Sequence, residues 1–378
     1  MRLTGCVSEV LPLEIQQRFL QIITGLREKN GGPVKSSIIM GNEYLEGVGS
    51  LLSIGLNDDS LLSQLRIKKI YEINSFLKNE FGFTFNLLSF RRIIRAHNIY
   101  IHHGFYLFSL PLLLMFSKIN SKIFIIPHGS FQKFSRQRSK LIKKLFCFIV
   151  QNLMRRKITV IFVAMTEAEV SDINDFFPES RVEVTGLGFD LEVPKKKITE
   201  TAEPTFLCLS RITQKKRIDL CIEAISILKE HFPDAKLIIA GTGDELLTAE
   251  LKNLALHLKV SANVKFMGHI GQGKNFENLF KSSALLLLPS EDENFALTVG
   301  EAIIRGLPVI TSNHVGLSSV VSQFNCGRVI QELSAASLTD SILDAMSNWN
   351  GLVENCLENA KYFSHDQVHQ RWRDLLEP

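Results

Sequence analysis

ALLLLPSEDENFALTVGEAIIRGLPVITS, residues 284–312, decides how this chain folds. It opens on a run of leucines, ALLLLPS (284–290), and closes on LPVITS (307–312). Between them the pattern predicts a helix that begins near Asn294 or Phe295, runs to about Arg305 and stops at Gly306. Runs of Leu, Ile and Val without polar alternation read as parallel strands covered by helices on both faces. Strand, helix, strand is then a right-handed crossover unit. Two carboxylates complicate the picture. Glu293 stands just ahead of the helix and Glu301 about two turns into it. A buried carboxylate is costly unless it finds partners, so the protein or a ligand must supply them.

The same unit repeats outward in both directions. In the first half, strands are read at RFLQII (18–23), SLLSIGL (50–56), NIYIHHG (98–104), KIFIIPHG (122–129), VIFVAM (160–165) and VEVTG (182–186). In the second half they fall at TFLCLS (205–210), AKLIIAG (235–241), VKFMG (264–268), ALLLLPS, LPVITS and GRVIQ (327–331). Helical stretches separate them, as in doubly wound sheets. A chain of 378 residues favours two such domains over one core. The join is read at LEVPKKKITETAEP (191–204), which is charged, proline-bounded and aperiodic. Open α/β sheets bind ligands at the carboxyl ends of their strands, so two facing sheets would share a cleft.

Composition excludes several classes. Hydrophobic residues at 45% and charged residues at 22% are globular values. The six cysteines are scattered without a CxxC pair, which argues against a disulfide framework or a zinc site and fits a reducing compartment. MRLTGCVSEVLPLEIQ lacks the apolar core of a secretory signal. The longest apolar stretch, Phe105–Phe116, is too short to span a bilayer and contains Pro111. The expectation is a cytoplasmic protein, soluble or peripheral to a membrane. Net charge is only +4, yet from Phe81 to Thr166 there is no Asp or Glu and there are fourteen Lys and Arg. One face should therefore meet something anionic.

Three segments of the second half carry candidate chemistry. In LSRITQKKRIDL (209–220), Arg211 follows a strand end, and Lys215 and Lys216 come where a helix is starting. Cations are disfavoured at that helix end, so the cluster makes sense if a polyanion binds there. The plainer alternative is a solvated basic loop. In IIAGTGDELL (238–247), Gly241 and Gly243 make a tight strand-to-helix turn that permits close backbone approach. As a dinucleotide fingerprint it is weak, because position 246 is Leu. In the opening stretch, the amides of Phe295, Ala296 and Leu297 would be open to a phosphate or a sugar hydroxyl. The alternative there is a capping Glu293 and a lysine-paired Glu301.

Arg211-x4-Lys216, AGTGDE, VKFMGHI and Glu293-x7-Glu301 followed by GLPVI occur in one order over about 110 residues. That set resembles a retaining glycosyltransferase of the GT-B fold, family 4 (glycosyltransferase group 1). The resemblance implies an α/β architecture of two doubly wound, Rossmann-like parallel-sheet domains facing a cleft. It implies an N-terminal acceptor-side domain over 1–192, with 1–17 as an extension, and a donor domain over 203–364. A terminal helix over 365–378 would cross back to the first domain. It also implies a nucleotide-sugar donor whose diphosphate is neutralised by Arg211 and Lys216 without metal or cofactor. Glu293 would contact the donor sugar and Glu301 the ribose, with Gly241, Asn294, Phe295, Ala296 and Leu297 lining the donor. Four positions depart from the family: Ser210, Arg217, Asn294 and Ala296 stand where glycines are usual.

The first half resembles the family more loosely. Gly31 and Gly32, ahead of a helix beginning at Pro33, would lie beside the transferred sugar and the acceptor. His128 and Gly129, at the end of IIPHGSF, would face the cleft, with the histidine touching the donor sugar. Residues 130–157 interleave Phe, Leu and Ile with nine Lys and Arg, the profile of a helix lying on anionic lipid. The alternative is an ordinary helix packed on the sheet. No nucleic-acid module is evident. HDQVH (365–369) lacks a third ligand for zinc, Glu291-Asp292-Glu293 lacks the spacing of metal-dependent sugar transfer, and His102-His103 reads as acceptor-side surface or core edge.

The expectation is a retaining, metal-independent hexosyltransferase with a nucleotide-sugar donor and a lipid-linked saccharide acceptor, acting in surface polysaccharide assembly. Two rivals remain open at this point. One is a non-catalytic GT-B protein that binds a nucleotide sugar or supports a partner enzyme. The other is a GT-B epimerase acting on the nucleotide sugar itself.

Overall fold

The computed structural model describes residues 19–27, 32–73, 82–132, 140–189, 203–271 and 273–376. Gly31, residues 1–17, most of the 191–204 join and 133–139 of the basic segment lie outside the described residues. Those described fall into two compact units. One lies within Met1–Phe131, Ser135–Ala164 and Val170–Val184; the other takes Met165–Glu169 together with Thr185–Pro378 and Gln132.

The first unit carries a parallel sheet in the order β3-β2-β1-β4-β5-β6-β7. Its strands are β1 (Phe19–Ile23), β2 (Ser50–Ile54), β3 (Lys69–Ile73), β4 (Ile99–His103), β5 (Lys122–Ile126), β6 (Thr159–Ala164) and β7 (Arg181–Val184). Chain order reverses between β1 and β4, which pair as Phe19↔Ile99 through Ile22↔His102. β1 and β2 are buried at every position, Gln21, Ser50 and Ser53 included. The sequence reading passed over β3. KIYEI is exposed at Lys69 and Glu72 and fully buried only at Ile73, as suits an edge strand, and its charges conceal the strand period. Beneath the sheet, Phe105, Phe131, Phe162 and Phe177 form one aromatic cluster with ring centroids 4.6–6.3 Å apart. Burying each such ring contributes roughly 2–3 kcal/mol.

The second unit repeats the design in the order β10-β9-β8-β11-β12-β13. Its strands are β8 (Thr205–Leu209), β9 (Lys236–Ala240), β10 (Val264–Gly268), β11 (Leu285–Leu288), β12 (Val309–Ser312) and β13 (Gly327–Ile330). The reversal here lies between β8 and β11. Trp349 is buried against the sheet, and its indole N–H donates to the Ala284 carbonyl at 2.7 Å, satisfying the group just ahead of β11. The terminal helix His365–Leu376 is grouped with this unit, where Arg371 Nη1 donates to the Thr185 carbonyl at 2.8 Å.

Candidate active site

In a doubly wound sheet, the loops at the reversal point diverge to opposite faces and leave a crevice at the carboxyl edge. In the second unit that crevice falls between the loops after β8 and β11, where Arg211, Lys216 and Glu293 lie. The loops are stapled together. Glu291 N donates to Lys215 O at 2.8 Å, and Lys215 Nζ donates to Asp292 O at 3.1 Å. Glu293 Oε1 lies 2.5 Å from Lys216 Nζ and 3.3 Å from Lys215 Nζ. Both are close ion pairs. Glu293 therefore has protein partners, which answers the question its position raised.

Charge balance shows what the crevice lacks. Burial pushes the Glu293 carboxyl up, but Lys216 and Lys215 together bring it below its usual range. Burial also lowers the Lys216 ammonium, and Glu293 only partly offsets this, because Lys215 opposes it. Two ammonium groups share one carboxylate. Arg211 is exposed, and its guanidinium has no partner among the described residues. Glu291 and Asp219 face Arg217, so Glu293 is the carboxylate that Lys215 and Lys216 have within ion-pair distance, and Arg211 stands beside them in sequence without one.

The lysines do not head an α-helix as predicted. They occupy a 3₁₀ turn, Gln214–Lys216, and Arg217 then turns left-handed at φ 51° before helix Ile218–Leu228. The turn separates Lys216 from the positive end of that helix, which eases the penalty expected from sequence. Arg217 Nη2 donates to Asp219 Oδ2 at 2.9 Å, and Nη1 lies 3.5 Å from Glu291. These contacts offset a left-handed strain of about 1–2 kcal/mol.

The helix after β11 begins at Leu297, later than the sequence suggested, and runs to Ile303. Ala296 precedes it with φ 62°, a left-handed residue that holds Phe295 and Asn294 outside the helix. Their amides are thus not helix-terminal amides; those belong to Leu297 and the residues after it. The ring of Phe295 stacks on Phe189 at 6.4 Å, and Asn294 Nδ2 donates to Glu169 Oε2 at 3.2 Å. Glu301 is buried in the helix. Arg217 and Ala296 both stand where the family resemblance places glycine, and both keep the left-handed backbone that glycine favours.

Gly241 and Gly243 do allow close approach, but of the chain to itself. A Cβ on Gly241 (φ 139°) would lie 1.9 Å from the Ser210 carbonyl oxygen, and one on Gly243 2.0 Å from that of Ile212. Ile212 N donates to Thr242 O at 3.0 Å. The Gly-Thr-Gly turn thus interlocks with the loop that presents Arg211.

In the first unit, Gly32 is the first residue of helix Gly32–Ile39, one position earlier than predicted, and open space surrounds it. His128 and Gly129 follow β5, both left-handed at φ 52° and 74°. His128 Nε2 lies 3.1 Å from His103 Nδ1, and His103 Nε2 lies 2.9 Å from Gln21 Oε1. His102 and His103 are core residues, and their rings are engaged in hydrogen bonds. Among the described residues no cluster of three or more His, Cys, Asp or Glu could hold a metal ion.

Sequence reasoning left Gln21, His103 and Glu169 out of the site. Gln21 had a legible signal, a polar residue in the middle of FLQII. Glu169 had none, since 125 residues separate it from Asn294.

Each unit is a Rossmann-like parallel sheet, of seven and six strands, the two-domain architecture of the GT-B fold. A crystal structure of Anabaena Alr3699/HepE in complex with UDP matches 95% of this chain and 99% of its own, with a TM-score of 0.79 at 16% identity. Residues 190–363, which lie in the second unit, match the model of glycosyl transferases group 1. An uncharacterized glycosyltransferase of Haemophilus influenzae is 24% identical over 336 residues, spanning 86% of this chain and 90% of that protein. The lipopolysaccharide glucosyltransferase WaaG of Escherichia coli is 29% identical over 154 residues, 40% of each chain.

Proposed function

We propose that this protein is a retaining, metal-independent glycosyltransferase that transfers a sugar from a nucleotide-sugar donor to a lipid-linked saccharide. The observation that carries the reading is the pair of lysine ammonium groups on one carboxylate between the loops after β8 and β11. Lys215 and Lys216 share the Glu293 carboxylate there, and the exposed Arg211 lies on the same loop as the lysines. A nucleoside diphosphate supplies the missing negative charge, and HepE, of like fold, was solved with UDP. The acceptor hydroxyl attacks the anomeric carbon as the bond to the diphosphate breaks, and the departing phosphate oxygen takes the proton. Arg211 and the lysines stabilise the charge that develops on the diphosphate. Glu293 holds both ammonium groups in place before the donor arrives. The roles of Glu301 on the ribose and of His128 on the sugar follow from the family resemblance.

The lipid acceptor is supported by helix Lys140–Met154. It buries only Cys147 and Val150 fully, while Leu141, Ile142, Leu145, Phe148 and Ile149 are exposed along one face. Lys140, Lys144, Arg155 and Arg156 are exposed nearby. An apolar stripe with a cationic border suits the interface of anionic lipid, at roughly 1 kcal/mol per basic residue near the surface. No helix among the described residues is long and apolar enough to cross a membrane. We place the protein at the cytoplasmic face as a peripheral enzyme.

Two measurements test the proposal. Nucleoside diphosphates and nucleotide sugars are screened by thermal shift, where a ligand at 100 times its Kd adds about 2.7 kcal/mol. Nucleotide release is then followed with the best donor. Arg211→Ala and Lys216→Ala should abolish both signals, and a donor that binds without ever releasing nucleotide would leave a binding protein. Sedimentation with anionic vesicles, abolished by Leu145→Ser with Phe148→Ser, tests the membrane face.

A further inference from the structure

Gln21 lies in the middle of β1 with no exposed surface, beside β4 at the reversal point of the first sheet. Its Oε1 is met by Ser37 Oγ at 3.3 Å and by His103 Nε2 at 2.9 Å. His103 Nδ1 in turn meets Nε2 of His128 at 3.1 Å, with the two rings near parallel at 13°. His102 stands apart from this chain. Its nitrogens are committed to the Gly104 carbonyl and the Ser109 hydroxyl, each at 2.9 Å.

With the Gln21 amide placed so that Oε1 faces His103 and Ser37, and Nε2 buried without a partner among the described residues, the hydrogens along the chain take one arrangement. Burial keeps His103 and His128 neutral, and a neutral imidazole has one N–H and one lone pair. A carbonyl oxygen only accepts, so His103 donates from Nε2 and presents a lone pair at Nδ1. His128 must then donate from Nε2, which leaves its Nδ1 as an acceptor. One buried amide sets the polarity of a ring two links away. His128 is also the member of the chain partly open to solvent, and its left-handed φ of 52° is a conformation that persists only where surrounding contacts enforce it.

We propose that Gln21 and His103 are positioning residues that fix the tautomer of His128, so that its Nδ1 accepts a hydrogen bond from a hydroxyl of the transferred sugar. This rests on the transferase reading given above, with His128 beside that sugar. Gln21 and His103 act only through His128. Their effect is to make the pocket favour a group that donates at that point and to disfavour one that can only accept.

The test is long-range ¹H–¹⁵N NMR on the full chain labelled in histidine, with His128 assigned by the signals lost in His128→Asn. The wild type should show His128 protonated at Nε2. Gln21→Glu should move the proton to Nδ1. Burial disfavours a carboxylate beside a neutral imidazole, which would carry net charge, so the introduced acid and His103 hold one further proton between them; wherever that proton sits, His103 donates from Nδ1 and His128 Nε2 must accept. Gln21→Met should shift it the same way, because a buried N–H without a partner is less tolerated than a buried lone pair without one. Transfer by Gln21→Glu should fall about tenfold in kcat/KM, while its affinity for nucleoside diphosphate, held by the second unit, stays unchanged. A wild-type His128 protonated at Nδ1, or a tautomer unmoved in the folded variants, overturns the relay. If Gln21→Glu does not fold, Gln21→Met decides. An inverted tautomer with unaltered transfer overturns the role in sugar recognition. Failure of the wild type to bind any nucleoside diphosphate would instead overturn the transferase reading, and the spectra would still report on the relay.

Discussion

Replacing Glu293 by Gln removes the one carboxylate that Lys215 and Lys216 share while keeping its size. Lys216 is 11% exposed in its side chain and Glu293 16%, so solvent screens the pair weakly. Breaking a fully buried pair costs about 3–5 kcal/mol. Lys216 can shed part of that cost, since burial already lowers its pKa and it can lose its proton once unpaired. A destabilisation of about 2 kcal/mol is expected, or roughly 4–8 °C in the Tm of the second unit. A nucleoside diphosphate should restore most of it by bringing negative charge to the same ammonium groups. The variant should therefore gain more from saturating ligand than the wild type gains. The assay is urea or thermal unfolding with and without ligand, paired with the ionisation of Lys216 followed by ¹⁵Nζ NMR. A variant as stable as wild type, with an unaltered Lys216 pKa, would refute the claim that Glu293 balances these cations. Equal ligand gains in both proteins would refute the anion site.

Gly241→Ala should destabilise the second unit by about 3 kcal/mol and weaken nucleotide binding, because its Cβ would meet the Ser210 carbonyl at 1.9 Å and displace the loop of Arg211; unchanged binding by calorimetry would separate the two loops. Ala296→Gly should stabilise by about 0.5–1 kcal/mol, since relief of the left-handed strain exceeds the added freedom of the unfolded chain; denaturant midpoints measure this. Acid should weaken the first unit. His102 is pushed down to about 4 by burial, so the unfolded chain binds its proton first, and about 3 kcal/mol is lost as pH falls from 6.5 to 4. His102→Gln should remove that share of the slope in pH-dependent unfolding and leave the share of the buried His103 and His128.

The sequence made the fold legible wherever strands are buried on both faces. SLLSI, KIFII and LLLL need no partner to be recognised, because only a covered parallel strand tolerates such runs. KIYEI at the sheet edge escaped, since an edge strand is free to carry charge. The candidate site was legible as a set of residues but not as an arrangement. Spacing brought Arg211, Lys216 and Glu293 to the right strand ends, yet nothing in it showed that both lysines would converge on one carboxylate oxygen. Local backbone was the harder part. The 3₁₀ turn and the left-handed Arg217 and Ala296 replace the simple helix starts that the pattern suggested, because cross-loop contacts outweigh local propensity there.

The meshing of Ser210–Ile212 with Gly241–Gly243 limits how this chain can be re-engineered. With main-chain oxygens lodged where side chains would otherwise project, neither loop can be exchanged for that of a relative while the other stays. Any redesign of this crevice must transplant the two segments as a matched pair.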